Sequence, residues 1–308
     1  MEEDLYKIRS LAKCIQAAYE LLSTNLKKII KRTWLPAVVF SVIAAVTHLL
    51  LIENSDITNI ADAPSLNHAT WTLGTLGTAI LSFVAMMWGF THVISLLNGK
   101  SFKTNWPRMI KLFALLFGVT VVLTAIIMAL GYLPLMSLKA PPTPTSIALM
   151  TGTMMLGFVI ATLCLIPAYY SVMKYCMEPE QKLGIVFGKH YRKGWRHWGF
   201  LFMLVLLVSI ILCIFSIIVI TPILIIQMAC FMNTHGMSMG DASGIPSYYP
   251  WLAFATTLLC TFIWFYIMTW EIMVFYYAYG TIEAKIDVKN QISTITAGHE
   301  GADFPEIS

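Results

Sequence analysis

The chain has 308 residues, of which 58% are hydrophobic types and only 12% are charged, and its mean hydropathy is +0.73. Soluble domains average about 45–50% apolar residues and about 25% charged residues. The composition therefore excludes a disordered chain, a nucleic-acid-binding tail protein and an ordinary cytosolic enzyme. It leaves a polytopic membrane protein.

Six apolar stretches are long enough to cross a bilayer, for which a helix needs roughly 20 residues. The sequence lacks the alternating short strands of membrane barrels. Because backbone groups in lipid must be satisfied within the segment, we predict an all-α bundle of six transmembrane helices. The predicted spans are Trp34–Ile52, Trp71–Leu97, Leu112–Leu133, Ser146–Met173, Trp198–Gln227 and Trp251–Tyr279.

Basic residues mark one side of these spans. Nineteen of the twenty Lys and Arg residues fall before the first span, in the second and fourth connections, or after the sixth span, and Lys139 alone falls on the other side. The positive-inside rule therefore predicts that both termini are cytoplasmic. The net charge of +4 suits an anionic inner leaflet and gives no reason to expect nucleic acid as a partner. We expect an uncleaved first span in a bacterial inner membrane, since no cleavage site and no Asn-x-Ser/Thr sequon is present.

The sequence divides into a cytoplasmic amphipathic helix over residues 1–33, a six-span membrane domain over residues 34–279 and an acidic cytoplasmic tail over residues 280–308 that is expected to fray. The first helix either lies in the membrane interface or packs on the cytoplasmic ends of the bundle. Pro and acids at Met177–Glu180 are typical of a helix start, so they predict a second interfacial helix before the fifth span.

Ionisable residues inside the spans are few, and such residues are candidates for function because they are costly to bury. Glu271 in the sixth span and His92 in the second fall at similar predicted depth, which makes a hydrogen-bonded pair a hypothesis. The pair would either join helices or hold a shared proton, and we favour the structural role because proton-coupled transporters usually need a relay. Competing partners for the Glu271 carboxyl group are Arg108, Lys111, Lys174, Tyr169 and Tyr170.

Small residues follow one face of the second span, at Thr78, Ser82, Ala85 and Gly89, and lead towards His92. Such a stripe lets a neighbouring helix approach closely, and this packing role is the favoured interpretation. The alternative is the polar lining of a path that ends at His92.

The sequence carries no motif of a known catalytic or cofactor site, such as HExxH, GxSxG or a phosphate-binding glycine loop. The six cysteines form no CxxC pair, which argues against a disulfide framework or a zinc site. We therefore expect a protein that is not an enzyme and that needs no cofactor. Pro167 and Pro222 lie inside spans, where each removes a backbone hydrogen bond and is expected to kink its helix.

The fourth connection resembles that of bacterial six-helix membrane proteins related to the membrane domain fused to some glycerophosphodiester phosphodiesterases. The resemblance rests on Tyr169-Tyr170, on Met177-Glu178-Pro179, on the amphipathic stretch that follows, and on Trp195 and Trp198 before a long apolar span. It covers residues 146–280 and implies a helical membrane domain without chemistry of its own. The phosphodiesterase catalytic domain has no counterpart in the sequence, and the resemblance assigns no site residue.

These observations favour a non-enzymatic membrane component: a scaffold, an assembly partner or a lipid-interacting module. The expected partners are membrane lipids, together with other membrane proteins or further copies of the chain. The alternative is a small transporter or channel that uses Glu271 and His92.

Overall fold

The computed structural model describes residues 5–53, 66–136, 143–242 and 244–300. Every regular element in this part of the chain is helical, and six of its helices are long and apolar enough to cross a membrane. The prediction of an all-α, multi-pass membrane protein is therefore confirmed. The helices are α1 (Leu11–Glu53), α2 (Leu66–Leu97), α3 (Phe102–Met136), α4 (Pro144–Met177), α5 (Lys189–Arg196), α6 (Trp198–Ser238) and α7 (Tyr249–Glu300), and a 3₁₀ turn (Leu183–Ile185) precedes α5.

Each predicted span lies inside one of the six long helices. Large apolar side chains are exposed along these helices, among them Phe117 on α3, Phe158 on α4 and Ile217 on α6. Apolar residues in such numbers on the outside of a helix are expected where the surrounding solvent is lipid, since lipid tails are as apolar as the side chains themselves.

The start of the membrane domain does not coincide with a helix end. α1 runs unbroken from Leu11 to Glu53, so no break separates residues 1–33 from the first span. Pro36 lies inside α1 without ending it. The helix persists here because its inner face is packed, and Ala37 and Ser41 just after the proline are fully buried.

The helix of the sixth span continues past Tyr279. α7 continues through residues 281–300, so the expectation of a fraying tail is wrong for these residues, and residues 301–308 lie outside the described part. Gly280 does not stop the helix, and a glycine is needed here because a Cβ at this position would collide with the backbone of Leu5. The Glu, Ala, Lys and Gln residues that follow favour continued helix.

The predicted helix start at Met177–Glu180 is wrong. Met177 is the last residue of α4, and Glu178 is its C-cap, with the Glu178 amide N–H donating to the carbonyl oxygen of Lys174. Pro179 then follows the cap, a common position because proline cannot continue a helix. The short amphipathic helix of this connection, α5, starts only at Lys189, ten residues after Pro179.

The chain divides into two compact units. The first contains the described residues of Met1–Leu21, Lys111–Val205 and Ile272–Ser308, and the second contains those of Leu22–Ile110 and Leu206–Glu271. Tyr170 and Tyr279 are among the largest buried side chains of the first unit, and Phe265 is among those of the second.

Within the first unit, α5 and the start of α6 dock on the proline of α4. Pro167 has no N–H to donate to the carbonyl of Leu163, and the indole N–H of Trp198 donates to that oxygen at 3.3 Å. The Tyr191 hydroxyl donates to the next carbonyl, that of Cys164, at 2.5 Å. Gly194 permits this approach, because an added Cβ would lie 2.6 Å from the Pro167 carbonyl oxygen.

Candidate functional site

A buried cluster of charged and phenolic groups lies between α4 and α7 in the first unit. The Lys174 ammonium donates to Oε1 of Glu283 at 2.7 Å and lies 3.2 Å from Oε1 of Glu178. The Tyr170 hydroxyl donates to the same Glu283 oxygen, and the Tyr279 hydroxyl donates to Glu178 Oε1 at 2.9 Å. We call these five residues the Lys174 cluster.

Helical spacing explains how the cluster is assembled. Tyr170 and Lys174 on α4 and its C-cap Glu178 follow each other at intervals of four, and Tyr279 and Glu283 have the same spacing on α7. Residues four apart lie on one face of a helix, so two polar ladders meet. The side chains of Lys174 and Glu283 are 9% and 13% exposed, whereas that of Glu178 is 34% exposed and keeps contact with solvent.

The N-terminal segment closes over the α7 side of the Lys174 cluster. The Tyr6 ring packs edge-on against the Tyr279 ring, with 6.4 Å between the centroids. The guanidinium of Arg9 lies 4.8 Å from the centre of the Tyr277 ring, at a distance typical of a cation–π contact. The Thr281 hydroxyl lies within 3.3 Å of the Lys7 carbonyl oxygen. Three segments that are far apart in the sequence therefore meet at this point.

Polar contacts extend from Glu178 towards α5. The Gln181 amide donates to Glu178 Oε2 at 2.7 Å, and His190 Nε2 lies 3.3 Å from the Gln181 carbonyl oxygen, to which it donates. His190 is 8% exposed, and its Nδ1 is the buried side-chain atom that lacks a hydrogen-bond partner in the described part of the chain. Burial, with the positive charges of Lys174 and Lys193, lowers the pKa of His190 and favours the neutral ring.

Glu178 is stabilised as a carboxylate. Burial alone raises its pKa, but the hydrogen bond from Tyr279, the charge of Lys174 and the amide of Gln181 outweigh burial, so its pKa lies below the ordinary value of 4.5. The cluster therefore pairs its charges with each other. Among the described residues, no group of three or more His, Cys, Asp or Glu side chains is arranged to hold a metal ion.

The hypothesis of a Glu271–His92 pair is wrong as a contact. Within the described residues no hydrogen bond or ion pair joins the two side chains. The Trp88 indole N–H donates to His92 Nε2 at 3.1 Å, which places the imidazole proton on Nδ1, and the ring stacks on Phe102 with centroids 4.5 Å apart. His92 is held by aromatic neighbours one turn away and at the start of α3, while Glu271 is half-buried on α7.

Three of the other suggested partners of Glu271 have contacts within the first unit. Tyr170 donates to Glu283, and Tyr169 stacks on Phe275 with ring centroids 4.1 Å apart. Lys174 is paired with Glu283 and Glu178. Arg108 is half-buried near the start of α3. The functional role assigned to Glu271 and His92 stays a prediction.

The small-residue stripe of α2 becomes more buried towards its end. Thr78 and Ser82 are half-buried, and the Thr78 hydroxyl donates to a carbonyl of its own helix. Ala85 and Gly89 are buried, and a Cβ added to Gly89 would overlap the Phe265 ring. This geometry fits the packing interpretation of the stripe at Gly89.

A second polar group joins three helices of the second unit, and the sequence analysis did not single out its residues. His48 on α1 donates from Nε2 to the Gln227 amide oxygen on α6 at 3.0 Å, and the Thr257 hydroxyl on α7 lies 2.8 Å from His48 Nδ1. With Nε2 as the donor, Nδ1 of a neutral imidazole accepts, so Thr257 is the donor. We call these three residues the His48 triad.

The sequence contained a signal for the α4 residues of the Lys174 cluster but not for Glu283, which pairs with Lys174. The spacing of Tyr170, Lys174 and Glu178 was visible, whereas Glu283 was assigned to the tail because the span was expected to end at residue 279. A comparison of the chain with protein-family models, with curated proteins and with solved structures found no match. The resemblance to the membrane domain fused to glycerophosphodiester phosphodiesterases therefore stays a prediction.

Proposed function

We propose that the chain is a non-enzymatic component of a bacterial cytoplasmic membrane, a scaffold or assembly module that interacts with lipid and has both termini in the cytoplasm. The observation that carries this proposal is the Lys174 cluster. Its ammonium, its two carboxylates and its two phenols are bonded to each other and join the N-terminal segment, α4 and α7.

Such a cluster is suited to holding segments together rather than to chemistry. A catalytic or transport carboxylate must exchange partners with a substrate, an ion or water, whereas the Glu283 oxygen that faces Lys174 also receives the Tyr170 hydroxyl. Removal of one member of a buried pair leaves the other charge uncompensated. The cluster therefore resists opening, which is the property a scaffold needs.

The orientation is supported by the same contacts. Leu5–Arg9, the end of α4 and residues 277–283 meet within one unit, and all three border stretches that the distribution of Lys and Arg assigns to the cytoplasm. Segments that contact each other beyond the spans lie on one side of a membrane. This supports a common side for the two termini.

A flux assay tests the proposed function against transport. We expect vesicles that contain the purified chain and a trapped pH-sensitive dye to dissipate a proton gradient no faster than vesicles with the Glu271→Gln and His92→Gln variants. Proton or cation flux in the wild type that both variants lose would overturn the proposal and establish the transporter alternative.

Cysteine labelling tests the orientation. With the native cysteines replaced, we expect a membrane-impermeant thiol reagent outside intact cells to label Asp241→Cys, between α6 and α7, and not Asp287→Cys, in the last part of α7. Both side chains are exposed. The reverse pattern would place the termini outside the cytoplasm.

A further inference from the structure

An open groove lies beside α5, in the first unit. It has a volume of about 570 Å³ and is lined by Phe187, Gly188, Lys189, Tyr191, Arg192 and Trp195. Its lining therefore combines two cations with three aromatic rings. Lys189, Arg192 and Trp195 are exposed, and 45% of Trp195 is accessible to solvent.

The groove is fixed by the docking of α5 on α4. Tyr191 in its wall is bonded to the Cys164 carbonyl, and Trp198 just beyond it is bonded to the Leu163 carbonyl. Gly194 lies directly against Pro167. Because these contacts hold the helix that carries Lys189 and Arg192, the groove exists before any ligand arrives.

The segment that lines the groove carries charge of one sign. The stretch from Gln181 to Gly199 contains no Asp or Glu. The groove also borders the start of α5, whose N-cap Gly188 supplies no capping side chain and whose first turn has no acid. The positive end of the helix dipole therefore adds to the two cations. The basic residues of the stretch from Gln181 to Gly199 are Lys182, Lys189, Arg192, Lys193 and Arg196.

A ladder of aromatic rings leads from the groove into the sixth helix. Successive ring centroids from Phe187 through Tyr191 and Trp195 to Trp198 are 6.0, 6.2 and 6.4 Å apart, and Phe202 follows at 4.9 Å. The rings of Trp195 and Trp198 are nearly parallel, with 8° between their planes. The ladder starts among cations and ends on an apolar membrane helix, so its two ends match the two ends of a phospholipid.

We propose that this groove binds the phosphate of an anionic phospholipid headgroup, with Lys189 and Arg192 on the phosphate and an acyl chain along Trp195, Trp198 and Phe202. The guanidinium of Arg192 can donate two parallel hydrogen bonds to phosphate oxygens, and the ammonium of Lys189 acts as a point charge. Tryptophan and tyrosine rings sit at the headgroup level of membranes. The inference rests on the proposed lipid-interacting function and names its ligand class and its site.

Native mass spectrometry of the full-length chain in neutral detergent tests the site. Phosphatidylglycerol and phosphatidylcholine are added in turn, and the dissociation constant of each is read from the fraction of lipid-bound protein. We expect phosphatidylglycerol to bind more tightly, and we expect the Lys189→Gln/Arg192→Gln variant to bind it on the order of thirtyfold more weakly, because each cation near an anionic lipid contributes to affinity.

The matched control removes the same charge elsewhere. Lys27 and Lys28 are exposed on α1, so the Lys27→Gln/Lys28→Gln variant is expected to bind phosphatidylglycerol as the wild type does. Trp195→Ala is expected to weaken the binding of phosphatidylglycerol, and an excess of inorganic phosphate is expected not to displace the lipid. Displacement by inorganic phosphate would overturn the assignment to a lipid.

The outcomes separate the site from the function. If phosphatidylglycerol binding survives in the Lys189→Gln/Arg192→Gln variant and is lost in the Lys27→Gln/Lys28→Gln variant, the groove is not the site, although the chain still interacts with anionic lipid. If the wild type shows no preference for phosphatidylglycerol, the inference and the lipid-interacting part of the proposed function both fail.

Discussion

The Lys174 cluster and the His48 triad both join helices that are distant in the sequence, but the first uses charges and the second uses neutral groups. Lys174 and Glu283 are 109 positions apart, and His48 and Gln227 are 179 apart. The Lys174 cluster lies at the end of α4 and against the interior of α7, and Glu178, the C-cap of α4, keeps contact with solvent. The His48 triad lies within apolar stretches of its helices.

The cost of burying charge explains the difference. An ionised group taken out of water loses several kcal/mol of solvation even after relaxation, by order-of-magnitude estimates, whereas a hydrogen-bonded neutral group loses far less. A lysine–glutamate pair is therefore tolerable where one carboxylate remains partly hydrated. Between apolar helix faces, an imidazole, an amide and a hydroxyl make an interhelical contact without net charge. The comparison predicts a large effect of substitutions in the Lys174 cluster and a small one in the His48 triad.

The largest effect is expected from Lys174→Met. The substitution leaves the Glu283 carboxylate buried without its cation, so we expect the free energy of unfolding to fall by about 3 kcal/mol. Denaturant titration of the purified chain in detergent micelles measures it. Lys182→Met is the matched control, because Lys182 is an exposed lysine eight residues after Lys174. Equal stability of the two variants would contradict a structural role for the Lys174 cluster.

The docking of α5 on α4 should be the next most sensitive feature. A Cβ at residue 194 would lie 2.6 Å from the Pro167 carbonyl oxygen and 3.0 Å from its Cβ, and backbone cannot move aside cheaply. We expect Gly194→Ala to lower the free energy of unfolding by about 1–3 kcal/mol. At Gly199 an added Cβ meets no atom within 4 Å, so Gly199→Ala should be neutral or slightly stabilising in the same denaturant titration.

A smaller loss of stability is expected from a substitution in the His48 triad. Thr257→Val removes the donor to His48 Nδ1, and interhelical hydrogen bonds of this kind contribute about 1 kcal/mol or less in membrane proteins. Thr261→Val is the control, because the Thr261 hydroxyl donates within α7, to the Thr257 carbonyl. If thermal unfolding showed Thr257→Val to be as damaging as Lys174→Met, the contrast between the two regions would be lost.

The smallest effect is expected in how the stability contributed by Glu178 changes with pH, and its sign is definite. Because the folded pKa of Glu178 is below the ordinary value of 4.5, its contribution to stability is present above that value and is lost as the pH falls through the folded pKa. We expect Glu178→Gln to lose less stability than the wild type when the pH is lowered from neutral to about 4, within the range of ordinary carboxyl pKa values. If Glu178→Gln lost more stability than the wild type on acidification, Glu178 would not be the ionised, stabilising carboxylate.

Hydropathy predicted the spans well because a helix in lipid must be a continuous run of apolar residues, and such a run can be read directly along the sequence. Each of the six runs lies within one helix. Helix ends were predicted less well, because tertiary contacts decided them: Leu5 packs on Gly280, and α7 continues to Glu300. The end of α4 was misread as a helix start because Glu178 and Pro179 occur at both kinds of terminus.

The pairing of polar residues could not be read from depth alone. The predicted depths of Glu271 and His92 matched, but depth does not tell which face of a helix a side chain occupies, and Trp88 and Phe102 hold His92 instead. The partner of Lys174 was missed for a related reason. Glu283 counted as part of an acidic tail, so its position four residues after Tyr279 on a continuous helix was not used.

A double-mutant cycle between Lys174 and Glu283 tests the central claim most directly. The unfolding free energies of the wild type, Lys174→Met, Glu283→Leu and the double variant are measured in one detergent. We predict that the double variant is more stable than the sum of the two single losses implies by about 2 kcal/mol, because neither charge is then left buried alone. Additive losses would show that the pair does not hold α4 and α7 together.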